Sequence, residues 1–207
     1  MAASKASELT DAIRAGTSGR TDTAALAEAV AERASGEGLL DIAYCEIDSP
    51  LGRLTAAATE GGLVMLSFPN HPLDQTLEEL AERIGPRVLE APSRFDSLRR
   101  ELEEYFDGRR RSFDIELDWR LIRGFTLKVL DQTNRIPFGE TRSYAEMAVA
   151  AGSPRAFRAA GSALGANPIP IIIPCHRVLR SGGGIGGYGG GLPVKRTLLG
   201  IEGIEIS

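Results

Sequence analysis

The sequence predicts an α+β fold, in which a small N-terminal β-sheet with helices precedes a mainly helical domain with a helix–turn–helix. The side-chain alternation over 42–47 is typical of a strand. Apolar residues at helical spacing over 73–84 and 95–106 predict two helices that pack on the sheet, the second with Leu98, Leu102 and Tyr105 facing inward. Two short helical patterns, 143–151 and 154–164, then follow each other closely, as in a helix–turn–helix.

The N-terminal sheet is predicted from short runs that are rich in apolar residues and separated by glycine-containing turns. Residues 42–47, 54–58 and 63–68 form three such runs, which indicates an antiparallel meander. Alternation over 113–117 predicts a further strand after the two helices. After residue 118 the sequence patterns predict mostly helices.

These patterns divide the chain into three parts. Residues 1–40 form an extension that is partly helical, over 23–34, or mobile. Residues 41–118 form an N-terminal α+β domain, and residues 119–207 form the C-terminal domain that carries the helix–turn–helix. The sequence contains no internal repeat.

Composition narrows the class of protein. The chain has 207 residues, of which 43% are hydrophobic and 25% charged, an ordinary mixture for a protein with a buried core. No apolar run reaches the roughly 20 residues of a membrane-spanning helix, and the first residues lack the apolar core of a signal peptide. The few cysteines and histidines argue against a disulfide scaffold and a zinc cluster: Cys45, His71, Cys175, His176. We therefore expect a cytoplasmic protein without a metal.

The net charge of −4 conceals an asymmetry along the chain. Residues 42–119 carry nine basic and sixteen acidic side chains, whereas residues 120–207 carry eleven basic and five acidic ones. A basic C-terminal part fits a nucleic-acid footprint, and it also fits an ordinary solvated surface.

The helix–turn–helix has recognisable start and stop signals. The first helix, 143–151, ends before a glycine, and Ser153 with Pro154 predicts the N-cap and first residue of the second helix. Residues spaced by three and four predict the core stripe of the second helix: Phe157, Ala160, Leu164. Arg158 lies on another face among small residues, which suits close approach to a backbone or groove and equally suits helix packing.

A β-branched run bounded by prolines, 168–178, predicts a short, extended and buried segment that contains Cys175 and His176. Buried cysteines are usually inert, because burial disfavours the thiolate. Neighbours in an extended segment also point to opposite faces. A reactive Cys175 would therefore need a water relay to His176, or a bend of the chain after Pro174.

A glycine-rich stretch, 181–191, follows this segment. It lacks the Lys-Ser/Thr pair that a phosphate-binding P-loop requires. Two interpretations stay open: a flexible loop, and a wall that lets the backbone approach a flat ligand with Tyr188 beside it.

Taken together, these segments resemble the O6-alkylguanine-DNA alkyltransferase family (methylated-DNA–protein-cysteine methyltransferases) over residues 42–204. The motifs that carry the resemblance are IPFGET (136–141), Ser143-Tyr144, Arg158, ANP (166–168), PCHRV (174–178), Gly187-Tyr188 and LLGIEG (198–203), with SPLG (49–52) and LEEYF (102–106) nearer the N-terminus. The resemblance implies a ribonuclease H-like N-terminal domain.

The resemblance also implies DNA repair by direct reversal. Cys175 would accept the alkyl group from O6 of guanine once and irreversibly, with no cofactor. His176 would act as the base through a bridging water, and Glu202 would hold His176 and stabilise its cation. Asn167 would tie the second helix of the helix–turn–helix to the Cys175 segment.

The implied partner is double-stranded DNA containing O6-alkylguanine, with O4-alkylthymine left open. The protein would be a monomer that needs no membrane, with cooperative assembly on DNA left open. The second helix would lie in the minor groove while the target base is flipped out. Arg158 would take the place of the extruded nucleotide, and Tyr144 would help to rotate it. The remaining implied contacts are DNA-backbone contacts at Thr126, Ser153 and Ser181, and pocket contacts at Tyr144, Val178, Tyr188 and Gly189.

Three rival functions predict different behaviour. A non-catalytic protein that binds alkylated DNA as a damage signal would bind the lesion without transfer, although Cys175 argues against it. A helix–turn–helix regulator would bind specific sequences without using Cys175. A cysteine hydrolase would turn over an ester or amide repeatedly.

Overall fold

The computed structural model describes residues 30–31, 33–34 and 37–205. Most of the extension 1–40, and most of the helix predicted over 23–34, therefore lie outside the described residues. Within the described part, no helix is long and apolar enough to cross a membrane.

The N-terminal sheet has four strands: β1 (Ile42–Ile47), β2 (Leu54–Thr59), β3 (Gly62–Ser67) and β4 (Val88–Glu90). Their order in the sheet is β3-β2-β1-β4. The first three strands form the predicted antiparallel meander, and β4 lies parallel to β1 on its other side. The sequence did not predict β4, because its three residues are too few to show a pattern.

Two helices follow the predicted positions closely: α1 (Leu73–Arg83) and α2 (Asp96–Phe106). On α2, the predicted inward residues Leu98, Leu102 and Tyr105 are buried. The helix therefore directs a tyrosine into the interior of the molecule.

The strand predicted over 113–117 is wrong. Only Leu117 pairs, in an isolated bridge with Leu63 at the edge of the sheet. The backbone N–H of Asp114 instead donates a hydrogen bond to the carboxylate of Glu101 on α2, at 2.8 Å. A side chain thus satisfies a backbone group that a ladder would otherwise pair.

As far as residue 205, the C-terminal part contains four α-helices and two short strands. They are α3 (Gly124–Asn134), β5 (Arg142–Ser143), α4 (Tyr144–Ala150), α5 (Phe157–Gly165), β6 (Val178–Leu179) and α6 (Leu192–Ile201). β5 and β6 pair in parallel. One buried cluster of hydrophobic residues runs through both the sheet and these helices, so the two parts share a core.

The helix–turn–helix consists of α4 and α5, but α5 begins later than predicted. The N-cap predicted at Ser153 is wrong, because Ala156 precedes the first helical residue and supplies no side-chain cap. The N–H of Ser153 donates instead to Ala148 O at 2.8 Å, with Gly152 at φ +78°, and so terminates α4.

The predicted core stripe of α5 is right at Ala160 and Leu164 and wrong at Phe157. Ala160 and Leu164 are buried together with Ala163, whereas Phe157 is 49% exposed. Its ring faces a large pocket at the start of the helix instead of the core.

Candidate active site

The segment 168–178 is buried from residue 169 onward, as predicted, but its predicted extended conformation is wrong. Ile171 has φ +74°, and Pro174 (φ −81°, ψ +61°) forms a tight turn in which Cys175 N donates to Ile173 O at 2.8 Å. Residues Cys175–His176–Arg177 then form a 3₁₀ turn. The chain therefore bends at Pro174, which removes the opposite-face objection to a thiol and imidazole acting together.

Asn167 holds the Cys175 thiol by a network that also fixes the bend. Its Nδ2 donates to Cys175 Sγ at 3.1 Å and to Ile173 O at 2.9 Å. Its Oδ1 accepts from Ile169 N at 3.0 Å. Because both ends of the amide are bonded, the orientation of the side chain is determined, and the thiol receives a donor.

Glu202 lies at the centre of a buried hydrogen-bond network. Its Oε1 accepts from His176 Nε2 at 2.8 Å, from the Tyr105 hydroxyl at 2.9 Å and from Arg177 Nη2 at 2.9 Å. Its Oε2 accepts from Arg177 Nε at 2.8 Å and from Gly139 N at 3.2 Å. With only donors around it, Glu202 is ionised and holds the proton of His176 on Nε2.

The other imidazole nitrogen of His176 is then an acceptor. Within the described part of the chain, Nδ1 is buried and has no hydrogen-bond partner. Glutamate orients one nitrogen and leaves the other available to take a proton, as the carboxylate does in a catalytic triad.

The charges of the site follow from burial and from these contacts. Burial raises the pKa of the Cys175 thiol, against the opposing effects of Asn167 and Lys195. Burial lowers the pKa of His176, although its bond to Glu202 opposes this. For Glu202 burial raises the pKa, but the hydrogen bonds from His176 and Arg177 outweigh it and lower the pKa to about 2. The resting site is therefore a neutral thiol, a neutral imidazole and a carboxylate.

Two residues of the site were missed by the sequence analysis. Lys195 on α6 is fully buried, its Nζ donates to Val178 O at 2.6 Å, and its pKa is lowered to about 8 by burial. Its positive charge favours the Cys175 thiolate. Tyr105 was predicted only as a core residue. In the sequence, Lys195 looks like any surface lysine, and Tyr105 looks like an apolar helix position.

A pocket of about 880 Å³ opens above Cys175. Six of the predicted site residues line it, together with Phe157: Tyr144, Arg158, Cys175, Ser181, Tyr188, Gly189. Thr126 and Ser153 are partly exposed and do not line it, and Val178 is fully buried. His176 and Glu202 lie behind Cys175, in the interior.

The glycine-rich stretch forms a wall of this pocket, in line with the second of the two interpretations. Gly186 has φ +70°, and a Cβ there would lie 2.5 Å from the Tyr144 hydroxyl oxygen. A Cβ on Gly190 would lie 2.8 Å from the ring of Phe68. Glycine is therefore required where this backbone packs against aromatic rings.

The fold and the site together define the class of protein. Its helix–turn–helix lines a pocket that contains a buried thiol, and a hydrogen-bonded imidazole and carboxylate lie behind that thiol. The chain belongs to the 6-O-methylguanine DNA methyltransferase family. The family's ribonuclease-like domain matches residues 42–119, and its DNA binding domain matches residues 124–204.

Named relatives agree with this assignment. The chain is 45% identical over 163 residues to a methylated-DNA–protein-cysteine methyltransferase of Mycolicibacterium paratuberculosis, which covers 78% of this chain and 92% of the relative. A protein of the same name from Methanosarcina barkeri is 42% identical over 77% of this chain and 96% of its own length. A crystal structure of Mycobacterium tuberculosis OGT in complex with DNA matches with a TM-score of 0.67 and 40% identity, over 78% of this chain and 93% of that one. The resemblance and the α+β fold class are confirmed.

Proposed function

We propose that this protein repairs O6-alkylguanine in double-stranded DNA by moving the alkyl group onto Cys175 Sγ. The observation that carries the proposal is the position of that thiol. It lies at the base of a pocket under the helix–turn–helix, with Asn167 bonded to the sulfur and the His176–Glu202 pair behind it.

The reaction is a displacement at the alkyl carbon. His176 Nδ1 takes the thiol proton through a bridging water, and the Sγ electron pair forms the new C–S bond while the O6–C bond breaks. The electron pair of the broken bond stays on guanine, which takes up the proton released by the thiol and remains in the DNA as the unmodified base. The thioether has no leaving route, so each molecule acts once, and no cofactor is needed because thiol and substrate supply all the atoms.

Glu202 stabilises the imidazolium that forms on His176 during this step. Lys195 favours the developing thiolate by its charge, and Asn167 directs the sulfur and ties α5 to the Cys175 segment. The resting pKa values fit these roles, because a neutral thiol becomes nucleophilic only when the base accepts its proton.

Access to Cys175 requires base flipping, because the O6 substituent of a stacked guanine cannot reach a buried thiol. Apart from Phe157 and Arg158 in its first turn, the exposed face of α5 is made of small residues, which lets the helix enter the minor groove. Arg158 fills the place of the extruded nucleotide, and Tyr144 guides it into the pocket. The DNA-backbone contacts are Thr126, Ser153 and Ser181, and the base contacts are Tyr188 and Gly189. The expected pocket contact at Val178 is wrong, because Val178 is fully buried outside the pocket lining and its carbonyl accepts from Lys195 Nζ. We place the protein in the cytoplasm as a monomer.

Intact-protein and peptide mass spectrometry after mixing with a duplex containing one O6-methylguanine tests the proposal. We expect one methyl group on the Cys175 peptide and restored guanine in the DNA. Cys45 is an internal control, because burial raises the pKa of its thiol to about 12 and it should stay unmodified. Cys175→Ser should bind the duplex without transfer.

Other results would overturn the proposal. Wild-type protein that binds the duplex but takes up no methyl group would be a damage-sensing protein. Repeated turnover on an ester or amide would point to a cysteine hydrolase.

A further inference from the structure

Phe157 is a large apolar side chain in an unusual place. It is the first residue of α5 and is 49% exposed, and it is not among the described side chains that pack against the hydrophobic core. Apart from Arg158, the other outward residues of the helix are small, such as Ala159, Gly161 and Ser162. The Phe157 ring therefore exposes apolar surface to water on an otherwise smooth helix face and contributes nothing to the core.

The position of the ring connects it to the site. Phe157 lines the same pocket as Arg158 and Cys175. The guanidinium carbon of Arg158 lies 5.8 Å from the centre of the Phe157 ring, within the range of a cation–π contact. The two side chains therefore project together from the first turn of α5 toward the mouth of the pocket.

We propose that Phe157 is a second DNA-inserting residue, whose ring enters the base stack beside Arg158 and holds the target nucleotide outside the duplex. The inference rests on the proposed function, since it needs a flipped base. Flipping leaves unstacked base faces on both sides of the gap. Apolar wedges such as phenylalanine occupy such faces in minor-groove proteins.

Val149 provides a matched control. It is also an exposed apolar residue of the helix–turn–helix, 58% exposed on α4, and it does not line the pocket. A general loss of surface apolar area would affect Val149→Ala and Phe157→Ala alike. A ring that stacks on bases would affect only Phe157→Ala.

The first experiment compares transfer from a duplex with transfer from the free modified base. Because stacking one base on an aromatic side chain contributes about tenfold in affinity, Phe157→Ala should slow duplex repair at sub-saturating protein about tenfold. It should also weaken duplex binding by a similar factor in a Cys175→Ser background. Its reaction with free O6-benzylguanine should stay within about twofold of wild type, and Val149→Ala should match wild type throughout.

Each alternative result has a clear meaning. Duplex repair by Phe157→Ala at the wild-type rate would overturn the insertion, while the wild-type activity would leave the proposed function intact. Equal losses with duplex and free base would also overturn it, because the ring would then act on the pocket. Absence of transfer by the wild-type protein would instead remove the proposed function itself.

A second measurement reports stacking directly and does not depend on the rate. Phe157→Trp in the Cys175→Ser background adds an indole at this position, and the emission of Trp119 is subtracted by measuring the Cys175→Ser parent. We expect the added emission to be quenched when the lesion duplex binds. Unchanged emission at saturating duplex would overturn the insertion.

Discussion

Replacing Glu202 by glutamine tests the buried relay most sharply. Glutamine keeps the shape of the side chain but removes its charge and replaces one acceptor oxygen with an NH₂ group. All five contacts of Glu202 are donors, two of them from Arg177. The new NH₂ group must therefore face another donor, and the imidazolium of His176 loses its counter-charge.

The size of the effect follows from this geometry. The 2.8 Å contact between His176 Nε2 and Glu202 Oε1 puts the two charge centres about 4 Å apart. At an effective dielectric constant of about 20, their attraction is about 4 kcal/mol, or about a thousandfold in rate if the imidazolium is fully formed in the transition state. The buried Arg177 also loses its partner, which should destabilise the fold by about 3–5 kcal/mol.

Single-turnover methyl transfer from an O6-methylguanine duplex is the assay, with circular dichroism and urea unfolding to establish that Glu202→Gln is folded. Glu205→Gln is the control, because Glu205 is an exposed carboxylate three positions further along the chain. A folded Glu202→Gln protein that reacts within threefold of the wild-type rate would refute the relay.

Four further predictions concern the same network. Tyr105→Phe should lower the free energy of unfolding by about 1 kcal/mol and slow transfer less than tenfold, because Glu202 keeps four donors. Lys195→Met should shift the pH–rate profile toward higher pH, because the Cys175 thiolate loses a nearby cation. Asn167→Ala should slow transfer about tenfold or more in stopped-flow measurements, because the sulfur loses its donor. The pKa of Glu202 is lowered from 4.5 to about 2, so its ionised form should add about 3 kcal/mol to the free energy of unfolding above pH 4.5. This contribution should be lost as the pH falls to 2, and urea unfolding at a series of pH values measures it.

Contrary outcomes are equally specific. If Tyr105→Phe transferred the methyl group as slowly as Glu202→Gln, the Tyr105 hydroxyl would have to carry a proton in the reaction. An unmoved pH–rate profile for Lys195→Met would confine the lysine to its bond with Val178 O. An acid-stability curve that is the same for wild type and Glu202→Gln would place the lost stability elsewhere.

The chemistry of the site could be predicted because much of it is local in the chain. Cys175, His176 and Arg177 are consecutive, and Asn167 lies eight positions before the cysteine to which it bonds. Motifs of this kind keep their meaning without a structure. Tyr105 lies in the LEEYF motif (102–106), but neither that motif nor the helix pattern indicates the contact of its hydroxyl with Glu202, which is 97 positions away.

The wrong predictions share a physical cause. Ser153, Phe157 and the run 113–117 have local patterns that predict a cap, a core position and a strand. In each case the surrounding structure outweighed the pattern: α5 begins only after Ala156, a pocket replaces the core at Phe157, and Glu101 takes the Asp114 N–H. Local propensity is a weak prior against such contacts.

By itself, the sequence determined the α+β class, the order of the main elements and the adjacent cysteine and histidine, because periodicity and short motifs are properties of neighbouring residues. Only the tertiary structure decided how the thiol is held. The bend at Pro174, the five donors around Glu202 and the buried charge of Lys195 arise when the sheet, α2 and α6 pack on one core. Burial alters the pKa values of Cys175, Lys195 and Glu202, and these groups are buried only in the folded chain.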